Sequence, residues 1–190
     1  MRIPPIAPNE LDPEQRPLYD DMREEIARDF TGFRAIDDVQ RLIGPFNVWM
    51  QSPRWGRPIW ELIKAMSIAP LLPRAAREVA ILVTGAHFRS AYEIYAHVVL
   101  AENRGLDEDK LATIVAGERP SNLSHEEGVA YDVTSALVNG HVLPTLTYSR
   151  AVGTFGEDGT KELIYLVGVY CLVSMTLNGF DVPVPDEASP

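Results

Sequence analysis

Residues 77–106, REVAILVTGAHFRSAYEIYAHVVLAENRGL, carry the strongest indication of the fold. Its apolar residues recur at helical spacing on both sides of Ser90, which predicts two consecutive helices with Ser90 at the start of the second. Glu78, Glu93 and His97 interrupt this otherwise core-like sequence. Because an ionisable group is costly to bury unless it is paired, such a cluster is a candidate site.

The rest of the chain is also predicted to be helical, since no segment shows the alternating pattern of a half-buried strand. Capping signals, such as Ser124 with Glu127, mark where helices begin. Residues 1–11 and 181–190 are predicted to be extended tails of a single all-α domain that covers residues 1–190. The predicted helices span residues 13–28, 45–51, 54–66, 74–88, 91–103, 107–117, 124–140, 144–155 and 160–178.

Composition limits the possible classes of function. The chain has 190 residues and a net charge of −10 at pH 7, which favours one soluble domain and argues against binding to nucleic acid or an anionic membrane. The N-terminus lacks the apolar core of a signal peptide, and the apolar run 163–177 is short for a membrane span, so we expect a cytoplasmic protein. The single cysteine, Cys171, is predicted to be a buried hydrophobe without a disulfide partner.

The three ionisable residues each have a structural interpretation beside the functional one. Glu78 could form a salt bridge to Arg77, Arg74 or another helix. Ser90 and Glu93 have the spacing of a capping box. Glu93 and His97 are four residues apart and share a helix face, so they could be a simple hydrogen-bonded pair. A metal site is disfavoured, since no second histidine stands at helical ligand spacing from His97.

Several segments resemble carboxymuconolactone decarboxylase and alkylhydroperoxidase-D-like proteins. They are GPFNVWMQSP, LPRAAREVAILVTGAHFRSAYEIYAHVVLAENRGL, DEDKLATIVAG and VSMTLNGFDVPVP. The resemblance implies an all-α, alkylhydroperoxidase-D-like helical bundle that forms a homo-oligomer such as a trimer, hexamer or dimer. The apolar helix predicted over 160–178 also favours an oligomer, because one domain of this size would not fully cover it.

The redox branch of this family carries a Glu, a Cys twelve residues later, a second Cys three residues on, and a His four after that. These positions correspond to Glu78, Ser90, Glu93 and His97. The Glu and the His match, but both cysteines are replaced. Disulfide chemistry needs a thiolate at that helix start. The resemblance therefore implies the decarboxylase branch, which has no cysteine pair and uses no cofactor or metal.

For a small lactone or carbonyl-conjugated acid, the resemblance implies that His97 delivers a proton while Glu78 and Glu93 orient it. Arg89 is the predicted clamp for a substrate carboxylate, with a plain surface arginine as the alternative. Further predicted substrate-binding residues are Ser90, Asn47, Gln51 and Asn178. Two other hypotheses stay open: a peroxide-linked antioxidant enzyme, which the missing cysteines disfavour, and a non-catalytic oligomeric protein that binds a small ligand.

Overall fold

The computed structural model describes residues 1–140 and 142–186, without the side chain of Asp29. This part of the chain contains eight α-helices and a short 3₁₀ turn at Pro8–Glu10. Its β-structure is limited to an isolated bridge between Ile36 and Leu42. The helices are α1 Arg16–Asp29, α2 Gly44–Met50, α3 Pro53–Ser67, α4 Arg74–Phe88, α5 Ala91–Asn103, α6 Glu108–Val115, α7 His125–Val138 and α8 Thr145–Gly179. The predicted all-α class is confirmed. The C-terminal tail is described as far as Asp186, and His141 and residues 187–190 lie outside the described residues.

Helix α4 is the centre of the bundle. Nearly every side chain from Ala76 to Gly85 is buried, as expected for a helix that is apolar all round and covered on every side. It packs against α5, α7 and α8, and more loosely against α6. Glu78 lies on this helix, so the acidic residue singled out in the sequence sits in the middle of the fold.

Aromatic side chains fill the space between α2, α3 and the N-terminal end of α5. The rings of Phe30, Phe46 and Trp60 lie with their centroids 5.7–5.9 Å apart, at separations favourable for edge-to-face contact. Gly44 opens α2 with a φ of 64°, and a Cβ atom there would lie 2.4 Å from the ring of Tyr92. Only glycine allows this close approach.

Helix α8 consists of two helical segments that meet at a kink at Gly156, which has a φ of 72° and a ψ of 176°. This break is where the sequence predicts one helix to end before the next begins. By length and composition alone α8 could cross a membrane, and 39% of its most apolar window is buried. Leu163, Leu166 and Leu177 are fully covered by the rest of the protein, so α8 occupies the position of a core helix.

Candidate functional site

Glu78 and His97 meet across the two adjacent helices α4 and α5. His97 Nδ1 lies 2.9 Å from Glu78 Oε2, and the Glu78 side chain is 1% exposed. The resemblance implies that Glu78 orients His97, and this contact is the geometry that such a role requires. Because α4 is buried on all sides and α5 packs along it, the carboxylate is almost completely shielded from bulk water and takes protein partners instead.

Glu93 lies on the opposite side of the same imidazole. Its Oε1 is 3.3 Å from His97 Nε2, but the contact is not oriented as a hydrogen bond, and this buried oxygen has no hydrogen-bond partner within the described residues. The imidazole therefore stands between two buried carboxylates, one firmly hydrogen-bonded and one loosely held.

The capping box expected from Ser90 and Glu93 does not form. Ser90 occupies the N-cap position of α5 but makes no side-chain cap bond. Its Oγ is buried, without a hydrogen-bond partner in the part of the chain that the structure describes. The physical reason is that the Glu93 side chain contacts His97 rather than the backbone at the start of its helix.

Arg104 is the cationic partner of Glu78, and the sequence analysis missed it. It forms an ion pair with Glu78 Oε1 from the C-terminal end of α5. Neither Arg77 nor Arg74 takes this role, because Arg77 pairs with Glu162 and the carbonyl oxygen of Met66. A signal was present: Arg104 follows His97 by seven residues, which is two helical turns and the same face.

Burial and the neighbouring charges set the protonation states of the cluster. Burial alone lowers the pKa of His97, but the carboxylates of Glu78 and Glu93 outweigh it, so the pKa is raised above its usual value of 6.5. Burial raises the pKa of Glu93 to about 7, against the opposing effect of His97. The cluster therefore exchanges protons near neutral pH, which suits a general acid or base.

A small apolar cavity of about 30 Å³ adjoins the Glu93 side of His97, and we call it the aromatic cavity. In its present form it has room for about one or two water molecules. The Tyr170 ring meets the His97 ring edge-on at 5.1 Å, a neighbour that the sequence analysis did not identify. The cavity is lined by Phe30, Phe33, Pro45, Phe46, Trp49, Ile63, Tyr92, Glu93, Ala96, His97, Tyr170 and Val173.

A larger cleft of about 350 Å³ adjoins the Glu78 side of His97, and we call it the arginine cleft. Three arginines, Arg74, Arg77 and Arg104, line it together with Glu78. Phe30, His97 and Tyr170 line both the cleft and the aromatic cavity. These three rings therefore form the wall that separates the two spaces.

The predicted clamp, Arg89, lies away from both spaces. It is the C-cap of α4, with a left-handed φ of 50°, and it is exposed. It belongs to the lining of neither the aromatic cavity nor the arginine cleft. The structure therefore gives no support to Arg89 as the residue that binds a substrate carboxylate.

The three predicted substrate-binding amides have structural contacts instead. Asn47 Nδ2 donates to the carbonyl oxygen of Ile3 at 3.0 Å, and Gln51 Nε2 donates to that of Pro4 at 2.7 Å. Both amides thereby fasten the N-terminal segment to α2. Asn178 Nδ2 donates to the carbonyl oxygen of Phe88 at the end of α4, at 2.7 Å. None of these amides lines the two spaces beside His97.

The described residues offer few candidates for binding a metal or for thiol chemistry. Among the described residues, no group of three or more His, Cys, Asp or Glu side chains is arranged to hold a metal ion. Cys171 is partly exposed on α8 and lines neither space beside His97. Burial raises the pKa of its thiol, which lowers the fraction of reactive thiolate.

Comparison with known proteins identifies a fold. No protein-family model and no curated protein matches the sequence. A solved structure of a Cys-to-Ala variant of the debrominase Bmp8, in complex with 2,3,4-tribromopyrrole, superposes with a TM-score of 0.71 and 10% sequence identity. The match covers 99% of this chain and 94% of the debrominase. The chain thus has an all-α, alkylhydroperoxidase-D-like fold, as predicted, and membership of the decarboxylase family stays a prediction.

Proposed function

We propose that the protein is a cofactor-free carboxy-lyase that decarboxylates a small lactone or other carbonyl-conjugated acid. The observation that carries this proposal is the imidazole of His97 held between Glu78 and Glu93, 2.9 and 3.3 Å away. A buried acid that exchanges its proton near neutral pH is the group such a reaction needs. The resemblance of residues 77–106 to the decarboxylase branch supports the same conclusion.

The reaction requires a single proton from the protein. The bond between the carboxylate carbon and the ring breaks, CO₂ leaves, and the electron pair passes through the conjugated double bond to the carbonyl oxygen. One proton, added at carbon, then quenches the resulting dienolate. Since the substrate itself is the electron sink, the enzyme has only to position it, stabilise the developing charge and supply that proton.

Each residue of the cluster has a separate role. Glu78 accepts a hydrogen bond from His97 Nδ1, which fixes the ring and leaves the proton on Nε2 to be transferred. Glu93 faces Nε2 and returns a proton to it after turnover. Arg104 forms an ion pair with the other oxygen of Glu78 and so helps to fix the position of that side chain.

The substrate ring enters the aromatic cavity, where Nε2 and Glu93 lie. The present cavity of about 30 Å³ is too small for it, so Phe30 and Tyr170 must turn aside. Both are partly exposed, unlike the fully buried rings behind them. The ligand in the debrominase complex is a small planar ring, 2,3,4-tribromopyrrole, which supports a pocket of this size class in the fold.

Thiol-dependent chemistry, either peroxide reduction or a cysteine-based reaction on a halogenated ring, is disfavoured for this chain. Ser90 and Glu93 occupy the positions of the expected thiols, and neither side chain supplies a thiolate. A non-catalytic ligand-binding protein is the remaining alternative, in which the cluster is only a buried polar network. Such a protein would bind its ligand without releasing CO₂, whereas the proposed enzyme would release it.

A turnover assay tests the proposal. Chelator-treated protein is incubated with 4-carboxymuconolactone and with a panel of lactone and keto acids, and CO₂ release is measured. We expect release by the wild type and by the control variant Arg57→Gln, since Arg57 is exposed on α3 and lines neither space. A folded protein that binds members of the panel but releases no CO₂ would support the non-catalytic alternative.

We also propose that the protein forms a homo-oligomer. Supporting this, α8 exposes Tyr165, Leu172 and Met175 at intervals of seven and three residues, so they form one apolar stripe on its outer face. Gly168 and Gly179 lie on the same stripe, with open space beside them. Light scattering at micromolar concentration tests the proposal, and a clean monomer contradicts it.

A further inference from the structure

The arginine cleft carries an excess of positive charge that the protein as a whole does not share. The chain has a net charge of −10, yet the cleft is lined by three arginines, Arg74, Arg77 and Arg104, and by a single carboxylate, Glu78. Like charges crowded into one concave surface repel each other. A guanidinium in the cleft that no carboxylate neutralises would therefore favour a bound anion.

Two of the three arginines already have a carboxylate partner. Arg104 pairs with Glu78, and Arg77 pairs with Glu162 while it also donates to the carbonyl oxygen of Met66. Within residues 1–140 and 142–186, the Arg74 side chain has no hydrogen bond or ion pair. It is exposed and lines the cleft, so its guanidinium is available to a ligand.

The backbone at the start of α4 adds to the positive potential beside Arg74. Arg74 is the first residue of α4, and the preceding residue, Pro73, supplies no side-chain cap. The N–H groups of the first turn therefore lack the partner that a capping side chain would give, and the positive end of the helix dipole lies there. A helix start beside a free arginine is a favourable environment for a carboxylate or a phosphate.

We propose that the arginine cleft is a subsite for an anionic group of the ligand, a carboxylate or a phosphate, and that Arg74 is the residue that binds it. The proposal rests on the proposed function for one point: the bound group is an acid group that the reaction leaves intact. An arginine that held the departing carboxylate would stabilise its charge before CO₂ is lost and so oppose the reaction.

The position of the cleft gives the ligand an orientation. His97 lines both spaces, so a ligand with its ring in the aromatic cavity and its acid group in the cleft lies across the imidazole. Arg89 cannot serve the same subsite, because it lies at the other end of α4, roughly 20 Å away at 1.5 Å per residue. The substrate class is thus a small ring acid with a second, retained anionic group.

Binding of simple anions tests this subsite without turnover. The imidazole signals of His97 are followed by NMR while glutarate or inorganic phosphate is added at constant ionic strength. We expect saturable shifts in the wild type and in Arg57→Gln, and a Kd raised roughly tenfold or more in Arg74→Gln, as expected for a lost charge-assisted hydrogen bond. Tighter binding of glutarate indicates a carboxylate ligand, and tighter binding of phosphate indicates a phosphorylated one.

Two results would overturn the proposal: equal Kd values for Arg74→Gln and Arg57→Gln, or no shift of the His97 signals with either anion. The turnover assay separates this failure from failure of the proposed function. CO₂ release with a KM that Arg74→Gln leaves unchanged keeps the function and rejects the subsite. Anion binding that depends on Arg74, without CO₂ release from any acid, keeps the subsite and rejects the function.

Discussion

The two carboxyl groups beside His97 lie in opposite environments. On one side, Glu93 lies against the apolar, aromatic cavity, and the imidazole is its cationic partner among the residues that the structure describes. On the other, Glu78 lies against the arginine cleft and pairs with Arg104. Burial raises the pKa of Glu93 to about 7, while Glu78 has both a guanidinium and an imidazole as charged or hydrogen-bonding partners.

This difference shows how two buried carboxyl groups a few ångströms from one imidazole take different roles. A carboxyl group in apolar surroundings holds a proton near neutral pH and can transfer it. A carboxylate with a guanidinium partner is held in place and can orient an imidazole that is hydrogen-bonded to it. In our account, Glu93 is the proton reservoir and Glu78 is the anchor.

The largest expected effect comes from removing the group between the two sides. His97→Ala takes away the proton donor, and we expect kcat to fall by roughly 10²–10⁴, the usual contribution of a positioned acid or base. Single-turnover kinetics with the substrate found in the CO₂ assay measure this, and the melting temperature checks folding. A folded His97→Ala protein with wild-type kcat would refute the assigned role.

The next largest effect is on the free energy of unfolding, and it distinguishes the two carboxyl groups. Glu78→Gln leaves Arg104 and His97 without their anion, and we expect a loss of about 3 kcal/mol in the free energy of unfolding, the lower end for a broken buried pair because Arg104 is partly exposed. Glu93→Gln at pH 8 should cost much less, because it replaces a poorly solvated charge with a neutral group. Urea unfolding compares the two, and equal losses would remove the distinction.

The pH dependence of stability is a more gradual effect, smaller over any one pH unit than the loss expected for Glu78→Gln. Glu93 has a pKa of about 7 in the folded protein against 4.5 as its reference value, so the folded state binds the extra proton between these limits. Stability therefore falls as pH rises through this window, by roughly 1.4 kcal/mol per unit of pKa difference at most. The raised pKa of His97 acts in the same direction above pH 6.5. Urea midpoints from pH 5 to 8 should decline in the wild type and decline less in Glu93→Gln. If the urea midpoint fell equally with pH in both proteins, the raised pKa would not belong to Glu93.

Part of the site could be predicted from the sequence around its residues. Glu78 and His97 lie in strongly periodic apolar sequence, which fixes both the helices and the faces that must be buried. Arg104 was missed because an arginine at a helix end is ordinarily solvated, and the sequence does not show that it reaches a carboxylate on the neighbouring helix. Tyr170 was missed for a related reason: it lies in an apolar run, 73 residues from His97, and only packing brings the rings together.

The incorrect expectations have a common cause. The capping box at Ser90 and the pocket roles of Asn47 and Gln51 were inferred from local spacing or from the resemblance. Tertiary contacts decide these positions instead. Glu93 takes His97 as its neighbour, and the two amides bind the N-terminal segment, more than forty residues away in sequence. Local patterns predict helices well, whereas side-chain partners depend on how the helices pack.

The smallest expected effect concerns the thiol. Cys171 lies outside both spaces beside His97, and burial raises its pKa. Cys171→Ser should therefore leave CO₂ release unchanged within about twofold, and neither protein should reduce peroxide with a dithiol as electron donor, since two thiols are needed for that cycle. Peroxide turnover that Cys171→Ser abolishes would show that the site lies elsewhere.

The protonation of His97 is the most direct test of an imidazole held between two unlike carboxyl groups. An NMR titration of its ring nitrogens measures the pKa in the wild type, in Glu78→Gln and in the control Arg57→Gln. We expect a pKa above 6.5 in the wild type and the control, because the carboxylates outweigh burial, and a clearly lower pKa in Glu78→Gln. A wild-type pKa at or below 6.5, or one that Glu78→Gln does not lower, would contradict it.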